Sequence, residues 1–510
     1  MRLPRERRLH MSTNLPVLPV LIPMITGIIL LLYRSYGPLQ RGFSLLSSIS
    51  MLFVSLALFY LTCTRGILVF CAGGWDAPFG VTFVLDRLAC IMVLTSSILS
   101  FTGTLFSLET IDSEKETHGF YALWQFLIMG INGTFVTGDM FNLFVFFEIM
   151  LIASYTILVI GSSRAQLRET FKYLAINVVS AVIFLIALGC LYAVAGTLNM
   201  ADLAQKLRML PDENGMIALI ALLLFVAFGV KGAIFPFYVW LPQVHTVAAA
   251  SVSSIFSGLL IKVGVYALLR VFTLIFVGDV AFTHTFIAVV AVCTMVLGVF
   301  GAVSQMNYKR ILAYHSISQV GYMIAGLGLF TPASIAGAIY FIVHHAIVKS
   351  CLFLTAGVAE KITGTKELQK MGGLMAQAPL LSWLFFIAAL SLAGVPPLSG
   401  FFGKLTLIKA AAAIPSYFMI AFAMAVGVLT LFSMIKIFLY AYWHQAPQVY
   451  VPEEGFRCFY ALIPCIILVL LTVLMGIFAQ PILSLCDDAA AQLINPEEYI
   501  STVMHTVGGR

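Results

Sequence analysis

Apolar residues run through this chain in long unbroken blocks separated by short polar gaps. Fourteen blocks are long enough to consider as membrane spans: residues 15–33, 43–63, 79–107, 119–137, 140–161, 171–195, 216–240, 246–272, 281–303, 311–329, 333–359, 378–414, 417–443 and 458–480. A helix needs about 20 residues to cross a hydrocarbon layer. The blocks are continuously apolar and lack alternation of period two, which excludes a β-barrel. Backbone groups in lipid must bond within their own segment, so each block is predicted to be a helix. The gaps are too short to separate domains. The pattern predicts an all-α polytopic membrane protein with an N-terminal arm over 1–14, one transmembrane domain over 15–480 and a C-terminal tail over 481–510.

Two blocks are interrupted. The seventh holds Pro236 and closes on Pro242; the twelfth is overlong and broken between Gly394 and Gly400 by Pro396 and Pro397. Proline leaves a carbonyl unbonded, and such breaks survive in a membrane where they line an enclosed, hydrated cavity. Paired broken helices point to an ion or substrate site. The two broken spans lie five apart. Lys231 and Lys404 are separated by 173 residues, and Lys262 and Lys436 by 174. An odd offset inverts topology, so two inverted five-helix repeats are predicted, about 119–272 and 281–443, although the prolines fall out of register at that spacing.

Composition agrees with lipid as the solvent. Of 510 residues, 61% are hydrophobic and 10% charged, against about 25% charged in a soluble globule. A net charge of +6 without a basic, aromatic-laced stripe excludes a nucleic-acid surface. The nine cysteines form no CxxC pair, and no GxGxxG or Walker pattern occurs. Disulfides, metal centres, nucleotides and flavins are therefore not expected, and neither is any cofactor. An even number of spans puts both termini on one side. The opposite side carries Arg34, Arg41, Lys115, Arg164, Arg168, Lys172, Lys309, Arg310, Lys361, Lys366, Lys370 and Arg457. Basic loops face the cytoplasm, so both termini are expected outside it. The arm's Arg2, Arg5, Arg7 and Arg8 oppose this orientation; Met11, just ahead of the first span, is an alternative start that would remove them.

Several charges fall inside the spans. A charged side chain at the bilayer centre costs about 2.5–3.5 kcal/mol on insertion scales, so an intramembrane ionisable group is a functional candidate by default. The candidates are Glu148, Lys231, Lys262, Lys404 and Lys436, with His344, His345 and Lys349 sharing one span. A lysine in apolar surroundings can exchange a proton near neutral pH where an arginine keeps its own, and histidine does so unshifted. Opening or closing a Glu148–Lys231 pair would then switch proton affinity at the head of a relay. Each residue also has a plain structural role open to it. Glu148 could be a static ion-pair partner, Lys231 could bond carbonyls freed by Pro236, and Lys404 could pack a helix. Lys349 and Lys436 could snorkel from near their helix ends, and the histidines could be ordinary core residues. Adjacent positions diverge by about 100° on a helix, so His344 and His345 cannot share a metal ion, whereas His345 and Lys349 share a face.

Four runs at these positions carry a resemblance: Gly138 to Glu148, Lys231 to Pro242, Ser257 to Arg270 and Lys309 to Tyr322. Over roughly residues 80–440 the chain resembles the antiporter-like subunits of respiratory complex I and its relatives. With the start Asn14 to Pro23 and the run Phe141 to Glu148, it is most similar to the D subunits of Mrp multisubunit cation/proton antiporters. The resemblance implies fourteen helices, two of them discontinuous, and no redox centre. It matches Glu148 and Lys231 to a charged pair, Lys262 to the central lysine of span eight, Lys404 to the lysine of the second broken helix, and His344 and His345 to the histidines of span eleven. It also implies the other Mrp subunits as partners, H⁺ and Na⁺ or K⁺ as transported ions, and a multi-pass place in the cell membrane. On this reading the chain is a transporter subunit and not an enzyme. A pump subunit of a quinone oxidoreductase or membrane hydrogenase would carry the same relay, and a docking scaffold would not need one.

Overall fold

The computed structural model describes residues 14–210, 215–446, 450 and 456–504. Most of the basic arm and the last six residues of the tail lie outside the described residues. Helices α1 (Leu18–Leu32) and α2 (Gly37–Arg65) lead into a hairpin of β1 (Leu68–Cys71) and β2 (Thr82–Leu85), antiparallel with Leu68 opposite Leu85. Then follow α3 (Arg87–Thr110), α4 (Ser113–Thr117), α5 (Phe120–Val136), α6 (Met140–Val159), α7 (Arg164–Ala195), α8 (Met200–Met209) and α9 (Met216–Lys231). The middle of the chain forms α10 (Leu241–Val247), α11 (Ala250–Leu274), α12 (Val280–Ser304), α13 (Tyr308–Leu329) and α14 (Pro332–Thr363). The rest forms α15 (Leu374–Gln377), α16 (Pro379–Ala393), α17 (Ser399–Ala413), α18 (Tyr417–Ile437), α19 (Cys458–Ile477), α20 (Ala479–Ile494) and α21 (Glu497–Met504).

Each apolar block lands on a helix. Ten of the described helices are long and apolar enough to cross a membrane, and α5, α9 and α16 are apolar but shorter. The third block starts late. Residues 82–85, expected inside a helix, form β2, and the helix begins at Arg87, where the Asp86 carboxylate accepts from Ala89 N at 2.9 Å. A four-residue run such as Thr82-Phe-Val-Leu85 cannot be assigned to strand or helix from periodicity alone. The C-terminal tail is largely the helices α20 and α21; α20 packs against α14.

The two five-helix units, α5 to α11 and α12 to α18, repeat one another in detail. Asp139 caps α6 and Asn307 caps α13, and each lies in a short antiparallel bridge, to Asn199 and Glu367 respectively. Met140 N to Leu198 O and Met200 N to Gly138 O, both 2.9 Å, recur as Tyr308 N to Lys366 O and Leu368 N to Met306 O, again 2.9 Å. The offset is 168 throughout. Glycine contacts obey the same offset. A Cβ on Gly130 would meet Met150 N at 2.6 Å, and one on Gly298 would meet Ser318 N at 2.5 Å, so both copies need a bare Cα where their first two helices touch. At the centre of the fold, α11 is wholly buried and α14 nearly so.

Candidate functional site

Both expected breaks are present, and they solve the carbonyl problem differently. α9 stops at Lys231, a 3₁₀ turn spans Phe237–Trp240 after Pro236, and the indole Nε1 of Trp240 donates at 3.0 Å to Val230 O, which also accepts from Ala233 N at 3.3 Å. α16 stops at Ala393, the link carries Pro396 and Pro397, and the ammonium of Lys404 reaches back from α17 to Leu392 O and Ala393 O at 3.1 and 2.9 Å. Lys231 therefore closes the first half of its broken helix, whereas Lys404 stands in the second half of its own. The 173-residue spacing matches their charge but not their place relative to the break.

Lys231, 2% exposed, leaves Val230 O to Trp240 and instead donates to Asn177 Oδ1 of α7 at 3.0 Å. Glu148 sits half-buried on α6, and its Oε1 has no hydrogen-bond partner. Among the described residues the two form no ion pair, so the expected Glu148–Lys231 contact is open in this structure.

Lys262 lies on α11 just past a π-helical turn, Phe256–Leu260, and its ammonium donates to Ser257 O within that turn. Ser257 Oγ meets Ser316 Oγ of α13 at 2.7 Å. Lys349 is not near a helix end as expected. It sits mid-way along α14, 0% exposed, and donates to Leu312 O of α13 at 2.6 Å. Snorkelling is impossible from there. Lys436 is only partly buried and binds Val303 O and Gln305 O at 2.8 Å, at the end of α12. Four of these five buried or half-buried lysines thus rest on backbone carbonyls, three of them at helix ends or an irregular turn and Lys349 on Leu312 O within α13.

The histidines divide in the same way. His344 Nδ1 contacts Ser399 Oγ at 2.8 Å, and Ser399 contacts Ser391 Oγ at 3.2 Å, so this imidazole reaches across the second break through the Ser399 hydroxyl. His345 points elsewhere, and neither of its nitrogens has a partner in the protein. Phe341 lies beside both rings and beside Tyr322, whose ring faces the Lys404 ammonium at 5.1 Å.

Two further buried imidazoles were not singled out from the sequence. His245 on α10 stacks on Phe353 at 4.8 Å, and Phe353 in turn faces Lys349 Nζ at 5.8 Å. His315 lies on α13 next to Ser316. Both are 0% exposed with all ring nitrogens unpartnered by protein. His245 fell in the gap between two apolar blocks; His315 is a lone imidazole well inside a span, which was the usable signal. Also missed was the buried pair of Arg270 with Asp86, bidentate at 2.5 and 2.8 Å, which ties the far end of α11 to the start of α3. Among the described residues no histidine, cysteine and carboxylate group is placed to hold a metal ion.

Residues 137–430 match the family described as NADH:quinone oxidoreductase/Mrp antiporter, TM. The D subunit of a Na(+)/H(+) antiporter from Alkalihalophilus pseudofirmus is 49% identical over 96% of this chain and 99% of its own. Among solved structures, a chain of the Mrp complex from Dietzia sp. DQ12-45-1b superposes with a TM-score of 0.90 at 30% identity, covering 97% of this chain and all of that one. A chain of respiratory complex I from Thermus thermophilus does so at 0.80 and 25% identity, over 94% and 99%.

Proposed function

Because the chain belongs to the membrane family shared by Mrp antiporters and NADH:quinone oxidoreductases, within it to the antiporter D subunits, we propose that it is the proton-translocating subunit of a multisubunit Na⁺ or K⁺/H⁺ antiporter driven by the proton gradient. Its partners are then the other Mrp subunits, and its place is the cell membrane with both termini outside the cytoplasm. The proposed route runs from Glu148 and Lys231 through Lys262 and His345 to His344 and Lys404, with Lys349 beside it and Lys436 towards the rim.

The observation that supports the route is the partnering of its buried cations. Lys262, Lys349 and Lys404 rest on backbone carbonyls and have no carboxylate partner among the described residues. A carbonyl accepts from an ammonium or an amine alike, so these side chains keep their place as a proton comes or goes. A carboxylate would bind the charged form preferentially and hold the proton. Buried polar nitrogens as a rule find protein or ordered water, and the unpartnered nitrogens of His245, His315 and His345 mark where bridging water would connect the lysines. A redox-driven pump could use the same relay; 49% identity across the whole of an antiporter's D subunit favours antiport.

Alanine at Lys262, in everted vesicles carrying the complete set of subunits, should abolish cation-dependent dequenching of a pH-sensitive dye while the protein remains in the membrane. Full antiport in that variant would refute the route.

A further inference from the structure

A cavity of about 310 Å³ opens between the ends of α3, α6 and α14 and the link joining α10 to α11. A water molecule occupies about 30 Å³ of liquid, so this space holds far more than a single bridging solvent molecule. Four lysines from separate segments line it, Lys115, Lys309, Lys361 and Lys366, against one carboxylate, Glu360. That carboxylate is already shared, at 2.7 Å from Lys309 and 3.2 Å from Lys366. Lys115 pairs with Asp112 at 2.5 Å on the outer edge, and its hydrogen bond holds the Asp112 carboxyl below the usual range. Even with Asp112 counted, lysines outnumber carboxylates among the described residues at this cavity. The rest of the wall mixes apolar Phe106, Phe120 and Ile157 with the polar Thr110 and Gln166.

We propose that this cavity binds a phosphate-bearing anion, supplied either by an anionic lipid headgroup or by free phosphate. The chemistry fits: several ammonium groups from different directions suit a compact multivalent anion, and basic pockets between membrane helices on the cytoplasmic side bind anionic headgroups. The wall also suits a glycerol moiety beside the phosphate. The site touches the transport machinery through backbone. Lys366 donates to Thr246 O at 2.9 Å and Lys309 to Ala248 O at 3.2 Å, and these carbonyls belong to the end of α10 and the link that starts α11. An anion that draws these two ammonium groups therefore pulls on the segment between His245 and the helix bearing Lys262.

The full-length chain is purified, exchanged into nanodiscs containing equal phosphatidylglycerol and phosphatidylcholine, and its retained lipid counted by native mass spectrometry. A parallel calorimetric titration uses inorganic phosphate in phosphatidylcholine alone. Retention of about one phosphatidylglycerol, weakened about fivefold for each lysine neutralised in Lys115→Gln and in the pair with Lys366→Gln and kept in the matching arginine variants, supports a lipid ligand. Saturable phosphate binding with the same variant pattern, without lipid preference, supports the site with a free anion. If the glutamine pair does not fold, Lys115→Gln alone, at a half-exposed position, carries the comparison. Absence of both signals, or binding that is indifferent to these substitutions, overturns the proposal and leaves the cavity as a passage for water.

Discussion

A lysine whose ammonium rests on carbonyl oxygens can give up its proton without giving up its place, and an arginine in the same position cannot, because it never releases its charge. Lys404 tests this directly. Lys404→Arg keeps donors on Leu392 O and Ala393 O, so the protein should fold and assemble normally while antiport falls to background. Lys404→Met removes both donors and leaves two buried carbonyls unpaired, at about 1–3 kcal/mol each. That variant should lose thermal stability as well as transport, measured by melting of the purified protein beside the dye assay. Equal stability of the methionine and wild-type proteins would refute the carbonyl-cap role. The sequence revealed which lysines lie inside spans, since an isolated charge in an apolar run is conspicuous. It did not reveal what each one touches. Lys231 stood beside a proline and was a natural cap for a carbonyl at the break, yet it bonds Asn177 instead, while Trp240 reaches back to Val230 O. Lys349 was placed near a helix end because the apolar block stopped at residue 359, whereas the helix continues to Thr363 and buries the residue completely.

Helices touch most closely where side chains are smallest, and the repeated glycines at the α5–α6 and α12–α13 crossings set that distance. Overpacking a tight crossing costs about 1–3 kcal/mol. Gly298→Val should therefore destabilise by that amount, read as a lower melting temperature, because its Cβ would press on Ser318 backbone at 2.5 and 2.7 Å. Gly189→Val on α7, with nothing within 4 Å of its Cβ, should change little. Similar losses at both sites would contradict the close-approach role. These crossings also show why the internal repeat was only partly readable. Lysine spacing suggested an offset near 173, but the backbone bridges and glycine contacts run at 168. Glycines packed against a neighbouring backbone carry no distinctive periodicity, so contact geometry was needed to find them. The hairpin escaped for a related reason: its four-residue strands are too short for alternation to declare itself.

At the scale of the whole molecule, charge is sorted by end. Lys115, Lys309, Lys361 and Lys366, far apart in sequence, converge on one cavity. The other end gathers Asp86, paired with Arg270, and Asp488, paired with Arg87, beside the C-terminal helices. Lysine- and arginine-rich loops stay in the cytoplasm during insertion while acidic ones exert little pull, so this sorting predicts the side on which each end lies. In a cysteine-free background, Ser501→Cys on α21 and Glu114→Cys on α4, both at exposed positions, report the two ends. A membrane-impermeant maleimide should label Ser501→Cys in intact cells and Glu114→Cys only in everted vesicles. The reverse pattern would place the termini inside the cytoplasm and make the four arginines ahead of the first span the dominant signal. It would also turn the proposed proton path end for end relative to the membrane.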